Sequence, residues 1–129
     1  MQEIIVTVNN QPGAVADVTI VLARAGVNIE EIDAEGITES GVVSLCVDKH
    51  DEGVAALREA GFDVTSEEAL MVRVADRPGA LAEIAGRLKD ANINLRSLRI
   101  TDHVDQQCTV AIVAEDPAEA KRVLADCLI

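Results

Sequence analysis

Residues 76–84 read DRPGALAEI, and residues 9–18 read NNQPGAVADV. In both, a Pro-Gly pair follows an alternating apolar run and precedes a helical pattern. Pro12 and Pro78 lie 66 residues apart. At that offset Gly13 meets Gly79, Ala14 meets Ala80, Ala16 meets Ala82, Leu22 meets Leu88, Ala25 meets Ala91 and Asn28 meets Asn94. Conservative pairs fill the intervals: Val6 with Val72, Val15 with Leu81, Val18 with Ile84, Ile32 with Leu98. No gap is needed from residue 6 to residue 34. Fixed-period self-similarity of this kind marks an internal duplication.

Each copy predicts the same series of elements. IIVTV and LMVRV alternate in β-branched and apolar residues and predict strands. Pro is expected in the first helical turn, where its missing N–H costs nothing. Val15, Val18, Leu22 and Ala25 share one helix face, as do Leu81, Ile84, Leu88 and Ala91. Gly26 and Asn92 can end these helices in the left-handed conformation. NIEEIDAEGI and NINLRSLRIT predict second strands; VVSLCV and TVAIVA predict third strands. Gly41 and residues 102–107 (DHVDQQ) are expected to mark the hairpin turns. Helices after HDEG and at Pro117 follow, with Asp51 and Asp116 as expected caps. FDVTS supplies a fourth strand to the first copy, whereas the second has only Asp126 to Ile129 for one, so that strand is expected to be short or missing. The fold class is therefore α+β: two tandem ferredoxin-like βαββαβ units, residues 1–67 and 68–129, with antiparallel sheets and helices on one face. An unfilled edge would be a pairing template, so an oligomer is expected.

The composition narrows the function. Asp and Glu outnumber Lys and Arg 23 to 11 in 129 residues, a formal charge of −12. Such a field repels phosphate backbones and anionic membranes. There is one aromatic residue, Phe62, so the base-stacking sheet of an RNA-recognition module is excluded as well. Three cysteines, Cys46, Cys108 and Cys127, form no CxxC pair, which suits a reduced cytoplasm. The first residues lack a signal-peptide pattern, and no apolar run reaches the roughly 18 residues of a membrane span.

The repeated junction is the place for chemistry. A helix N-terminus leaves N–H groups unpaired in a positive dipole, a natural seat for a small carboxylate. Gly13 and Gly79 lack a Cβ, so a ligand could approach the backbone. Asn10 and Asp76 could accept from an ammonium group, and Asn28 and Asn94 could donate or accept. Together these groups suit a zwitterion.

VNNQPGAVADVTIVLARAGVNI and VADRPGALAEIAGRLKDANINL make each unit resemble an ACT domain. The whole chain is similar to small stand-alone tandem-ACT proteins, the second copy matching the family pattern better. The resemblance implies a non-catalytic regulatory sensor of small ligands, most often amino acids, acting in trans on a partner enzyme. It implies side-by-side pairing through second strands and ligands held at that interface. Carried onto this chain, the ligand-binding positions are Asn10, Gln11, Gly13, Ala14, Val15 and Asn28 in the first copy. In the second they are Asp76, Arg77, Gly79, Ala80, Leu81 and Asn94. Asp76 should attract an ammonium more strongly than Asn10, which favours the second junction.

Rival classes are weaker. Enzymatic activity is not expected: no Ser-His-Asp or Cys-His spacing occurs, and an acylphosphatase-like loop would need an Arg that NNQPGAV lacks. His50 reads as a solvated residue near a helix start, and His103 as a turn residue. Cys46 and Cys108 read as small buried hydrophobes. No cofactor is implied, and neither His50-Asp51-Glu52 nor His103 between Asp102 and Asp105 has a metal-ligand spacing. The main alternative is a protein-interaction module with no small ligand, binding through its sheet face and edges.

Overall fold

The computed structural model describes residues 1–129. The chain forms two compact units, one of residues 2–67 and one of residue 1 with residues 68–129. The first contains β1 (Gln2–Asn9), α1 (Ala14–Arg24), β2 (Ile29–Ile37), β3 (Ser40–Val47), α2 (His50–Glu59) and β4 (Asp63–Glu68). Its four strands run in the order β2-β3-β1-β4, the split βαβ arrangement. The second contains β5 (Leu70–Ala75), α3 (Ala80–Asp90), β6 (Leu95–Val104), β7 (Gln107–Ala114) and α4 (Pro117–Val123). Its sheet order is β5-β7-β6.

The period-2 pattern of the strands explains the layers. On β3, Val43, Leu45 and Val47 alternate toward the helices and meet Ile4 and Val6 of β1, Val18 and Leu22 of α1, and Leu57 of α2. The second unit repeats this core with Val72, Ile84, Leu88, Val110, Ile112, Ala120 and Leu124. A core of Val, Ile and Leu is sufficient because each such side chain, once buried, contributes about 1.5–3 kcal/mol. Val15, in the first turn of α1, and Ala25, which flanks its C-terminus, are expected on the buried face but are exposed, unlike Val18 and Leu22 between them.

The fourth strand of the second unit is reduced to a remnant. Leu128 bridges Val72, Arg73 N–H donates to Cys127 C=O at 2.9 Å, and Ile129 N–H donates to Met71 C=O at 3.0 Å. Arg87 of α3 anchors this end: its guanidinium donates to the Val123 carbonyl and to the Asp126 carboxylate at 2.5 and 3.3 Å. That contact holds the Asp126 carboxyl below the usual range.

Some local expectations are corrected. Pro12 and Pro78 precede their helices, which begin at Ala14 and Ala80. The Gln11 carbonyl accepts from Ala14 N–H at 3.3 Å, with Gly13 at φ 88°, ψ −5°. The Arg77 carbonyl accepts from Ala80 N–H at the same distance, with Gly79 at φ 90°, ψ −13°. Pro followed by a positive-φ Gly inside that hydrogen bond is a type II turn. Gly41 lies inside β3, and its hairpin turns at Thr38 and Glu39. Of residues 102–107, only Asp105 and Gln106 form the turn; both have positive φ, as a type I′ hairpin requires. Asp51 lies in the first turn of α2 and does not cap it, whereas Asp116 caps α4 by accepting from Glu119 N–H at 3.1 Å. His50 opens α2 half-buried, with Nε2 2.7 Å from Ser66 Oγ. Gly26 and Asn92 do end their helices with positive φ.

Candidate functional site

The first junction opens a cleft of about 330 Å³. Its floor is the end of the β2–β3 hairpin, with Gly36 and Gly41 paired across the strands. Its rim is the type II turn and the first turn of α1, including Asn10, Gln11, Gly13, Ala14 and Val15. The first turn of α1 lines the cleft, and no side chain caps it, so its early N–H groups have no side-chain acceptor. Asn10 is fixed at one edge: its N–H donates to Glu39 C=O at 2.9 Å and its Nδ2 to Thr38 C=O at 3.0 Å. Its amide lies against Gly36, where an added Cβ would come within 2.5 Å of it. Nothing stands within 4 Å of an added Cβ at Gly13, so that glycine is required by its φ of +88° and not by crowding.

The second junction is built on the same backbone and filled differently. Asp76 N–H donates to Gln106 C=O at 2.9 Å, which places its carboxylate beside the end of β6. There His103 Nδ1 lies 3.0 Å from Asp76 Oδ2 and 3.4 Å from Cys108 Sγ. His103 is a strand residue, paired with Cys108 across β6 and β7, and not the turn residue that the sequence pattern predicts. The His103 contact, then the Cys108 thiol, lowers the Asp76 carboxyl. Burial, then the Asp76 carboxylate, raises the Cys108 thiol, so it is no ready nucleophile. Arg77 folds over its own turn, donating to Pro78 C=O at 3.2 Å and to Glu83 Oε1 at 3.0 Å. Gly79 repeats the conformation of Gly13, Ala80 is buried, and Leu81 packs partly into the core.

Asn28 and Asn94 do not join these junctions within their own units. Asn28 N–H donates to Asp48 Oδ1 at 2.9 Å, and Asn94 Nδ2 donates to Glu115 Oε1 at 3.0 Å. Both sites tie the start of a second strand to the end of a third. In the second unit Leu95 pairs with Ala114, while the junction end pairs Ala75 with Gln107. At about 3.4 Å per residue, those two ends of β7 are roughly 24 Å apart. Asn94 borders a separate hollow of about 400 Å³ beside Lys89 and Asn92. The zwitterion site that the sequence suggests therefore cannot be assembled from one unit alone.

No curated protein matches the chain. Among solved structures, a protein of Bacteroides thetaiotaomicron is similar over 99% of this chain and 90% of its own, at 21% identity and a TM-score of 0.79. The ligand-free regulatory subunit of aspartate kinase from Thermus thermophilus is similar over 98% and 90%, at 19% identity and a TM-score of 0.61. The corresponding subunit from Thermus flavus is similar over 97% and 91%, at 17% identity and a TM-score of 0.63. At these identities the likeness is one of fold. The ACT domain model matches the sequence twice, at residues 3–60 and 69–128. With one match on each βαβ-built unit and both Pro-Gly turns inside the matched segments, the chain belongs to the ACT domain family.

Proposed function

We propose that the chain is a non-catalytic regulatory module that binds a free amino acid at its strand-to-helix junctions and acts in trans on a partner enzyme. The observation that carries this reading is the cleft at the first junction, framed by the type II turn and the uncapped start of α1. A ligand carboxylate fits the N–H groups there, in the positive end of the helix dipole. The Asn10 amide oxygen can accept from the ligand ammonium. The residues proposed to line the site are Asn10, Gln11, Gly13, Ala14 and Val15. At the second junction Asp76, Arg77, Gly79, Ala80 and Leu81 occupy the same places, but Asp76 is already engaged by His103 and Arg77 by Glu83. The first junction is therefore the better seat.

Asn28 or Asn94 could reach a bound ligand only from another ACT unit laid antiparallel along the second strand. That requirement favours a homo-oligomer. β2 and β6 lie at the edges of their sheets. They expose Ile32 and Ile37, and Leu98, Ile100 and Val104, respectively. The same apolar edges support a second reading, a protein-interaction module without a small ligand. None of the helices is long and apolar enough to cross a membrane.

A thermal-shift panel of the proteinogenic amino acids separates the two readings. A ligand binding only the folded state at 100 times its dissociation constant stabilises by about 2.7 kcal/mol. A clear shift for one or a few amino acids, with a change in sedimentation, is expected. A flat panel would leave the interaction module as the better account. If ligand selects one assembly, its differential affinity is the regulatory coupling.

A further inference from the structure

We infer that Asp76, His103 and Cys108 form a binding site for a divalent transition-metal ion of the Zn²⁺ class. This is separate from the amino-acid reading and stands or falls without it. Three different ligand types converge, and their donor atoms all lie within 4.8 Å of one another. Around a tetrahedral Zn²⁺, with bonds of about 2.0–2.3 Å, neighbouring N, O and S ligands are separated by about 3.3–3.6 Å. The separations here, 3.0 Å from His103 Nδ1 to Asp76 Oδ2 and 3.4 Å to Cys108 Sγ, need only small rotamer adjustments to reach that edge.

The backbone holds the donors there. Asp76 leaves the end of β5, while His103 and Cys108 face each other on β6 and β7. A register shift between Ile100 and Asp102 decides the matter. Leu98 and Ile100 pair with the core residues Ile112 and Val110 and so share the helix side of the sheet, and strict alternation would put His103 on the opposite face. The irregularity reverses the phase, and His103 joins Cys108 on the helix side. Cys108 anchors the site in the core at 4% exposure. Asp76 and His103 stay open to solvent, with side chains 46% and 59% exposed, so an ion can enter. A nitrogen–sulfur–oxygen set selects Zn²⁺ or Co²⁺ over Mg²⁺ or Ca²⁺. Three protein donors leave one position for water or another ligand. Cys108 would bind as thiolate, its proton passing to solvent. The equivalent places in the first unit are Asn10, Gly36 and Gly41, which offer no such set, so the expected stoichiometry is one ion per chain.

The test is titration of the chelator-treated full chain with Co²⁺, followed by Zn²⁺ competition. One equivalent of Co²⁺ should produce a thiolate-to-cobalt charge-transfer band and the visible bands of a four-coordinate ion, and Zn²⁺ should abolish both. Cys108→Ser should remove the charge-transfer band. His103→Gln and Asp76→Asn, both at exposed positions that leave the core intact, should weaken binding by about tenfold or more, the loss that even an outer partner can cause. The site is disproved by the absence of a thiolate band. It is equally disproved by a band that survives Cys108→Ser, which would assign it to Cys46 or Cys127, or by affinity unmoved in His103→Gln.

Discussion

The two junctions share a backbone turn and differ in the side chains around it. Where the first has Asn10, Gly36 and Gly41, the second has Asp76, His103 and Cys108. The glycine pair leaves a cleft beside the helix start; the histidine and cysteine occupy the corresponding volume and bind the local carboxylate. Duplication thus preserved the turn that aims the helix and allowed the space beneath it to diverge. The turn is a backbone requirement met best by Gly at positive φ, while the floor is set by side chains that the fold tolerates in either form.

The largest effect should come from closing the first cleft. Gly36→Val would drive a side chain into Asn10, whose amide lies 2.5 Å from the position of an added Cβ. Any amino-acid stabilisation, about 2.7 kcal/mol at 100 times the dissociation constant, should vanish in a thermal-shift assay. His103→Gln should leave that stabilisation unchanged. The reverse pattern would move the ligand site to the second junction. Next in size, Gly13→Ala and Gly79→Ala should each cost about 1–2 kcal/mol in urea unfolding, because an L-residue is strained in the left-handed region. Equal losses would establish the shared turn; a loss in one alone would break the equivalence of the two units. Asp116→Ala should cost about 1 kcal/mol through the lost cap of α4. Asp51→Ala should cost less, since Asp51 caps nothing in α2.

The smallest effect is one of pH. Asp126 is held below the usual carboxylate range by Arg87, the first cause of its shift. A depressed folded value means that its contribution is present above the unfolded value of about 3.9 and is lost as pH falls through the lower folded value. Asp126→Asn should therefore lower the melting temperature slightly near neutrality and remove part of its decline in acid. A variant whose acid decline matches that of the original protein would show that the Arg87 clamp contributes nothing to the end of the second unit.

The element order was legible because each strand and helix buries a face, and burial imposes its period on the residues. Val18 and Leu22 repeat as Ile84 and Leu88 for that reason. The junctions were legible as places, since Pro-Gly has few conformational uses. Their contents were less so. Asn28 and Asn94 read as companions of the junction, yet strand direction carries them to the opposite end of the sheet. His103 read as part of a turn because Asp102, Asp105 and Gln106 surround it with turn-forming residues, whereas the two-residue loop starts only at Asp105.

The sequence by itself determined the duplication, the α+β order, the places of the two junctions and the family, because these rest on local conformational preference and on periodic burial. Only the tertiary structure decided that Gly36 and Gly41 floor a cleft, and that Asp76, His103 and Cys108 meet. Both depend on strand register, and a one-residue irregularity on β6 reverses which side chains share a face. Its trace in the sequence is small: the offset of 66 residues, sustained from Val6 to Ala34, becomes 67 between Gly36 and His103. That extra residue carries no distinctive chemistry, and its consequence emerges only when the strands are paired.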